Sequence, residues 1–133
     1  MTGRSGQLDW LLAEFVRDVP GVVHGVVVSG DGLRLATSPD VGVSLGDQLA
    51  AAASGLVSLA RGTAHLLGAG AVSQTILEMA GGYLFVTSIS QGATLAVFAQ
   101  RTCDIGMVGY EMTMLASRVG HALTPAPRSS AGG

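Results

Sequence analysis

The amino-acid sequence predicts a single α/β (α+β) domain with the element order α-β-β-α-β-β-β-α, built around one antiparallel-rich sheet with helices on both faces. Three observations predict this class. Three segments carry apolar residues at helical spacing, five shorter runs are rich in β-branched and aromatic residues, and glycine- or proline-containing turns separate them. The chain has 133 residues, which is enough for one domain with its own hydrophobic core.

The first helix is predicted from the segment QLDWLLAEFVRDVPG, in which apolar side chains recur at helical spacing from Leu8 to Val19. Charged residues occupy the positions between them, and the Pro20-Gly21 pair ends the helix. We expect residues 1–6 to form a flexible N-terminus and residues 7–123 to form the folded domain.

Two strands follow, VVHGVVVS and LRLATS, and the Asp31-Gly32 pair between them is a strong hairpin signal. Gly25 and Gly30 have the spacing of a phosphate-binding P-loop. However, Asp31 and Gly32 stand where that loop has a lysine and a serine or threonine, and a strand follows where the P-loop has a helix. We therefore assign these glycines to a turn.

The second helix is predicted from Leu45 to Leu67, with Ser44 as a candidate N-cap. Its residues form three stripes. One carries large apolar side chains and suits a sheet: Leu45, Leu49, Ala52, Leu56, Leu59, Thr63 and Leu66. A second is apolar but small, which would let another helix approach closely: Ala50, Ala53, Val57, Ala60, Ala64 and Leu67. The third is polar: Asp47, Ala51, Ser54, Ser58, Arg61 and His65. We expect the small stripe to meet the same helix of a second copy.

The third strand, AVSQTILEM, mixes Gln74 and Glu78 with apolar residues, a pattern typical of an edge strand. Gly81-Gly82 forms the next hairpin turn. The strands YLFVTSI and TLAVFAQ are apolar throughout most of their length, which predicts central positions in the sheet.

The third helix is predicted in the segment IGMVGYEMTMLASRVGHAL, with Asp104 as its N-cap. The residues of its core face are Ile105, Val108, Met112, Leu115 and Val119. Residues 124–133 are rich in proline, glycine and serine, so we expect a disordered tail.

The composition restricts the function classes. Charged residues make up only 12%, the net charge is −2, and there is no lysine, which argues against nucleic-acid binding. A surface with so few charges favours an oligomer. The single cysteine, Cys103, forms no internal disulfide and suits a reducing compartment. Glycines and polar residues interrupt the uncharged stretch 79–100, and the N-terminus does not resemble a signal peptide. We expect a cytoplasmic protein without direct membrane insertion.

Catalytic and metal-binding patterns are not found in the sequence. The three histidines, His24, His65 and His121, do not have metal-ligand spacing, and there is no second cysteine. No pair of carboxylates suggests acid–base chemistry, and no serine lies in a nucleophile elbow. We expect no catalytic residues, no metal and no cofactor.

Three stretches resemble the roadblock/dynein light-chain family, in its bacterial, actinomycete-type branch. They are VPGVVHGVVVSGDGLRLA, the alanine-rich second helix, and CDIGMVGYEMTMLASRVGHALTPAPR. The resemblance covers residues 8–123. It implies a five-stranded antiparallel sheet in a profilin-like sandwich, with the first and third helices on one face and the second on the other. It also implies a homodimer in which the second helices pair and the third strands join edge to edge.

By the same resemblance, the chain would be a non-catalytic regulator or scaffold that binds a small Ras-like GTPase. Relatives of this branch look like components of a signalling set that includes a sensor-kinase-like membrane protein, and such partners could recruit the chain to the membrane. The implied role does not include an arginine finger, so neither Arg34 nor Arg61 is assigned one.

Candidate residues for these surfaces come from the stripes of the second helix and from the third strand. Those for the dimer interface are Ala50, Ala53, Val57, Ala60, Ala64, Gln74, Ile76 and Glu78. Those for the partner surface are Asp47, Ser54, Ser58, Arg61 and His65, although a merely solvated helix face would have the same polar pattern.

Two other interpretations remain open from the sequence. One is a small-molecule-sensing domain of profilin- or PAS-like architecture, to which Thr87, Ser88 and Thr94 would contribute polar groups. The other is a purely structural dimeric adaptor without a GTPase partner, which sequence alone does not separate from the regulator.

Overall fold

The computed structural model describes residues 3–124 of the chain. Their order, α-β-β-α-β-β-β-α, confirms the predicted one. The elements are α1 (Gly3–Asp18), β1 (Val22–Val28), β2 (Arg34–Thr37), α2 (Val43–Leu67), β3 (Thr75–Met79), β4 (Gly82–Ser88), β5 (Thr94–Gln100) and α3 (Ile105–Leu123), with a short 3-10 turn at Ser90–Gly92.

The five strands form one sheet in the order β2-β1-β5-β4-β3, and every neighbouring pair is antiparallel. The hairpins β1–β2 and β3–β4 form its two sides, and β5 lies between them. The predicted fold class is therefore confirmed, including the edge position of the third strand and the central position of the fourth and fifth.

One face of the sheet is covered by α1 and α3. Buried side chains of both helices pack there with Phe85, Leu95 and Val97 of the strands. The helical members of this cluster include Leu8, Leu11, Leu12, Phe15, Val108, Met112, Leu115 and Val119. The expected spacing of both amphipathic helices accounts for this core.

The first helix begins earlier than expected. It starts at Gly3 rather than at Gln7, so residues 3–6 are helical. Forming the first turn of a helix is the unfavourable step, because several residues are fixed for one hydrogen bond. Once the buried turn from Leu8 to Leu12 has formed, the helix extends toward the N-terminus at a lower free-energy cost, because each added residue forms one more hydrogen bond.

The other face of the sheet is covered by α2, which contacts it through its small side chains. Ala50 is 1% exposed and Ala53 is 0% exposed within this single chain. They pack with strand residues Val26, Val28, Leu84, Val86 and Ala96, and Val57 packs against the same cluster. At Gly46, an added Cβ would lie 2.7 Å from the Cδ atom of Arg34, so helix and sheet are in close contact there.

This arrangement differs from the predicted use of the α2 stripes: small residues are the most buried part of the contact with the sheet, and Leu49 and Leu56 of the large stripe are partly buried against the same cluster. The stripe of small residues faces the chain's own sheet, so Ala50 and Ala53 are not available to a second copy, and their predicted place in a dimer interface is wrong. Val57, Ala60 and Ala64 continue the same inner face and are half-buried. The strands already supply bulky valine and leucine side chains, and a helix face centred on small residues fits closely over them.

The helix caps were predicted with mixed success. The carboxylate of Asp104 accepts a hydrogen bond from the Met107 N–H at 3.0 Å, as expected of an N-cap. Ser44, in contrast, lies inside α2: the N-cap is Gly42, and the Ser44 hydroxyl accepts from Gln48 Nε2 at 3.2 Å. Of the predicted tail, residues 125–133 lie outside the described residues.

Candidate interaction surfaces

The outward face of α2 is apolar and unpartnered within the described chain. We call it the α2 outer face; it consists of Ala52, Gly55, Leu59, Gly62 and Leu66. These residues recur at three- and four-residue steps and so share one side of the helix. Leu59 is 71% exposed and Leu66 is 85% exposed, which is unusual for large apolar side chains in a stable fold.

The two glycines of the α2 outer face have no role inside the subunit. A Cβ added at Gly55 or Gly62 would have no heavy atom within 4 Å. Glycine in a helix interior costs about 0.5–1 kcal/mol relative to alanine. Two such residues, two turns apart on an exposed face, allow the backbone of another helix to come close.

The free edge of β3 lies beside the same helix. Residues of α2 (Val57, Ala60, Arg61) and of the β3–β4 side (Thr75, Val86) line one shallow cavity, which shows that the C-terminal half of α2 lies over these strands. Ile76, Leu77 and Met79 are all substantially exposed. The C-terminal half of α2, which carries Leu59 and Leu66, therefore lies close to the β3–β4 hairpin.

The two edges of the sheet differ. At β2, the carboxylate of Asp9 in α1 accepts a hydrogen bond from the Thr37 N–H at 3.3 Å. Thr37 is paired with Val26 of β1 on its other side. Within residues 3–124, no side chain accepts a hydrogen bond from an amide of β3. The β2 edge is thus partly capped and the β3 edge is open.

The β3 candidates of the sequence have different surroundings. Ile76 is exposed, whereas the carboxylate of Glu78 forms an ion pair with Arg101 of the same chain at 2.8 Å. The Arg101 guanidinium also lies 5.3 Å from the centre of the Tyr83 ring. Gln74 lies near α3, since a Cβ added at Gly109 would be 3.1 Å from its Oε1 atom. Of the three, Ile76 is the side chain most available to another subunit.

The polar stripe of α2 is not one continuous site. Asp47 is ion-paired with Arg34 of β2 at 2.9 Å, and Ser54 lies beside Gly32 in the β1–β2 turn. Ser58 is exposed in mid-helix. Arg61 and His65 come together at the C-terminal end, where both line the same cavity.

That cavity has a volume of about 590 Å³ and is completed by parts of the chain that sequence reasoning did not connect with α2. They are Ser88 at the end of β4 and the loop from Gly68 to Val72. The two glycines of the loop have positive φ angles, 62° at Gly68 and 84° at Gly70. The sequence GAGAV shows this loop, but its position beside Ser88 depends on the β3–β4 hairpin.

The polar residues considered for a small-molecule sensor do not converge. Thr87 is buried, and its hydroxyl donates a hydrogen bond to the Ser73 carbonyl at 3.0 Å. Thr94 is also buried. Ser88 is the one of the three that lines the cavity beside α2.

The side chains of His24 and Cys103 each pack against neighbouring residues. His24 stacks on Phe98 with the ring centres 6.2 Å apart. Burial, assisted by the nearby Asp104 carboxylate, raises the pKa of the Cys103 thiol, which disfavours the reactive thiolate at neutral pH. In the part of the chain that the structure describes, no three His, Cys, Asp or Glu residues are placed to hold a metal ion.

By length and composition alone, α2 could cross a membrane, and it is the one helix of residues 3–124 with that property. Its inner face is packed on the sheet through Ala50 and Ala53. Exposed apolar residues of the helix include Leu59 and Leu66 of the α2 outer face.

Comparison with known proteins agrees with the fold. The family model for the Roadblock/LC7 domain matches residues 8–99. A Roadblock/LC7 domain from Streptomyces avermitilis is 38% identical, with a TM-score of 0.82, over 86% of this chain and 96% of that chain. No match was found among curated proteins.

More distant structures share the fold. MglB from Myxococcus xanthus is 16% identical, with a TM-score of 0.78, over 86% of this chain and 93% of that chain. The gliding protein mglB from Thermus thermophilus is 18% identical, with a TM-score of 0.76, over 90% of each chain. The family match spans most of the chain and coincides with a relative above one-third identity, so this chain belongs to the Roadblock/LC7 family.

Proposed function

We propose that this chain is a non-catalytic regulator or scaffold that acts as a homodimer and binds a small Ras-like GTPase. The observation that carries the proposal is the exposed apolar α2 outer face, together with the open β3 edge of the hairpin beneath the same helix. Roadblock/LC7 proteins are regulatory and adaptor proteins rather than enzymes.

A second copy of the chain is the occupant that suits this surface. A twofold axis between the β3 edges would add antiparallel hydrogen bonds between the strands and would bring the two α2 outer faces together. Burying one exposed leucine contributes about 1.5–3 kcal/mol, and each copy would contribute Leu59 and Leu66. Gly55 and Gly62 would let the two helix backbones approach closely. This dimer uses the face of α2 opposite to the alanine stripe.

The GTPase is proposed from the family resemblance. In the dimer, a twofold axis would present two copies of the polar flank of α2 on one composite surface. That flank holds Asp47, Ser54, Ser58, Arg61 and His65. We propose it as the docking surface, and we propose that the chain works in the cytoplasm, with a sensor-kinase-like membrane protein as a further partner.

The dimer is tested with a charge placed on the α2 outer face. Sedimentation velocity at several concentrations should give a dimer for the wild type and a monomer for Leu59→Glu, with an unchanged circular dichroism spectrum. Leu33→Glu is the matched control, since Leu33 is 63% exposed but lies in the β1–β2 turn, and it should remain a dimer. A wild-type monomer at high concentration, or a dimeric Leu59→Glu variant, would contradict the proposal.

The same variants test the GTPase. Wild type and Leu33→Glu should bind a GTP-loaded small GTPase and change its hydrolysis rate, and Leu59→Glu should do so more weakly. If no candidate GTPase binds the chain or changes its rate of GTP hydrolysis, the proposed GTPase partner is wrong, and the proposed dimer is unaffected. If the wild type co-sediments with phospholipid vesicles and Leu59→Glu does not, the α2 outer face meets a membrane instead.

A further inference from the structure

The cavity at the C-terminal end of α2 contains an arginine that the fold does not neutralise. Its wall is formed by Arg61 and His65 on one helix face, Ser88 on the strand below, and the Gly68–Val72 loop opposite. All of these residues belong to one subunit. The cavity is an open groove of about 590 Å³, since the side chains of Arg61, His65 and Ser88 are all exposed.

Arg61 differs from the other arginines whose side chains the structure describes. Each of those lies within ion-pairing distance of a carboxylate: Arg17 with Asp18 at 2.8 Å, Arg34 with Asp47 at 2.9 Å, Arg101 with Glu78 at 2.8 Å and Arg118 with Glu14 at 3.3 Å. Arg61 has no such partner in the described chain. Its Nη2 atom lies 3.5 Å from the Ser88 hydroxyl oxygen, at the limit of a hydrogen bond.

The surroundings of Arg61 are free of negative side chains. The sequence has nine Asp and Glu residues, all within the described range, and none of them lines this cavity. A neighbouring cavity of about 350 Å³ shares Ser88 and also has no carboxylate in its wall. It adds His121, Ser90 and Ser117. This end of the molecule therefore presents the Arg61 guanidinium and several hydroxyl groups without a carboxylate among them, although the chain as a whole is acidic.

We propose that this cavity binds an oxyanion, a phosphate or carboxylate group, with Arg61 as its charged anchor. The guanidinium can donate two parallel hydrogen bonds to such a group, and the Ser88 hydroxyl can donate a third. Ala64 and Val72 provide apolar wall for the rest of the ligand. The site is complete in a single subunit, so the proposal does not depend on the dimer or on the GTPase.

The test is a titration of the ¹⁵N-labelled full chain followed by amide chemical shifts, at constant pH and ionic strength. Inorganic phosphate is the probe in one arm and a hexaglutamate peptide in the other. We expect saturable shifts confined to the Gly68–Ser73 loop and the region of Ser88. Tighter binding of phosphate would indicate a small phosphorylated ligand, and tighter binding of the peptide would indicate an acidic chain segment.

Matched variants decide the role of Arg61. Arg61→Gln should weaken binding at least about tenfold, since it removes charge-assisted hydrogen bonds. Ser88→Ala should weaken it less. Arg118→Gln is the control, because Arg118 is similarly exposed but ion-paired on the opposite face of the sheet, and it should bind like the wild type. The monomeric Leu59→Glu variant should also retain binding. The absence of saturable shifts in both arms, or equal affinity of Arg61→Gln, would overturn the proposal.

Discussion

Gly21 is a position where the chain has little freedom to change. It has a φ angle of 89°, and an added Cβ would lie 2.7 Å from the Cβ atom of Cys103. Its carbonyl accepts a hydrogen bond from the Gln100 N–H at 2.7 Å, so the exit of α1 is fixed against the end of β5. The Pro20-Gly21 pair predicted the end of α1 correctly. The contact with Cys103 could not be predicted, because it joins residues that are far apart in sequence.

Gly21→Ala should therefore destabilise the protein by at least about 1–3 kcal/mol, from the strained backbone alone. Gly81→Ala is the control, since a Cβ there has no heavy atom within 4 Å, and it should change stability by less than about 0.5 kcal/mol. Urea denaturation at one fixed protein concentration measures both. Equal urea midpoints for Gly21→Ala and Gly81→Ala would contradict the predicted backbone strain at position 21.

At the scale of one element, α2 shows what the sequence could and could not predict. Its length, its three stripes and its two apolar faces were all predicted from periodicity. The assignment of the faces was not, because periodicity identifies apolar sides but not how closely each approaches the sheet. The bulky Val26, Val28, Leu84 and Val86 side chains fill the space beneath the helix, so close packing selects the alanine side.

The two faces should respond differently to the same substitution. Ala53→Glu would bury an unpaired charge inside the subunit, and we expect it to lower the free energy of unfolding by more than about 4 kcal/mol. Leu59→Glu, in the same helix, should remain folded. Far-UV circular dichroism during urea denaturation distinguishes them. A wild-type unfolding midpoint for Ala53→Glu would mean that the inner face is not the alanine stripe.

The candidate site was predicted in part. Arg61 and His65 were selected from the polar stripe, since helical spacing alone places them together. Ser88 and the Gly68–Val72 loop were missed as neighbours of Arg61, because their position depends on how the β3–β4 hairpin packs beneath α2. Asp47 was selected by the same stripe, yet its ion pair with Arg34 needs the β1–β2 hairpin to bring the two residues together.

At the scale of the whole molecule, the sheet has one capped edge and one open edge. In the proposed dimer, the β3 amides that point away from β4 would be hydrogen-bonded to the second copy. Their hydrogen exchange should be at least about tenfold slower in the wild type than in monomeric Leu59→Glu. The β3 amides that face β4 serve as the internal control. Equal exchange of the outward amides in both proteins would mean that the strands do not pair.

The hydrogen bond from Thr37 to Asp9 has a consequence for how far the assembly can grow. A sheet whose two edge strands are both free to pair could add subunits at each edge and form a fibre. Here the carboxylate occupies one donor of the β2 edge, so a pair joined through β3 would carry a partly capped β2 at both of its outer margins. A further strand that paired at either margin would have to displace Asp9 from the Thr37 amide, which disfavours growth through β2.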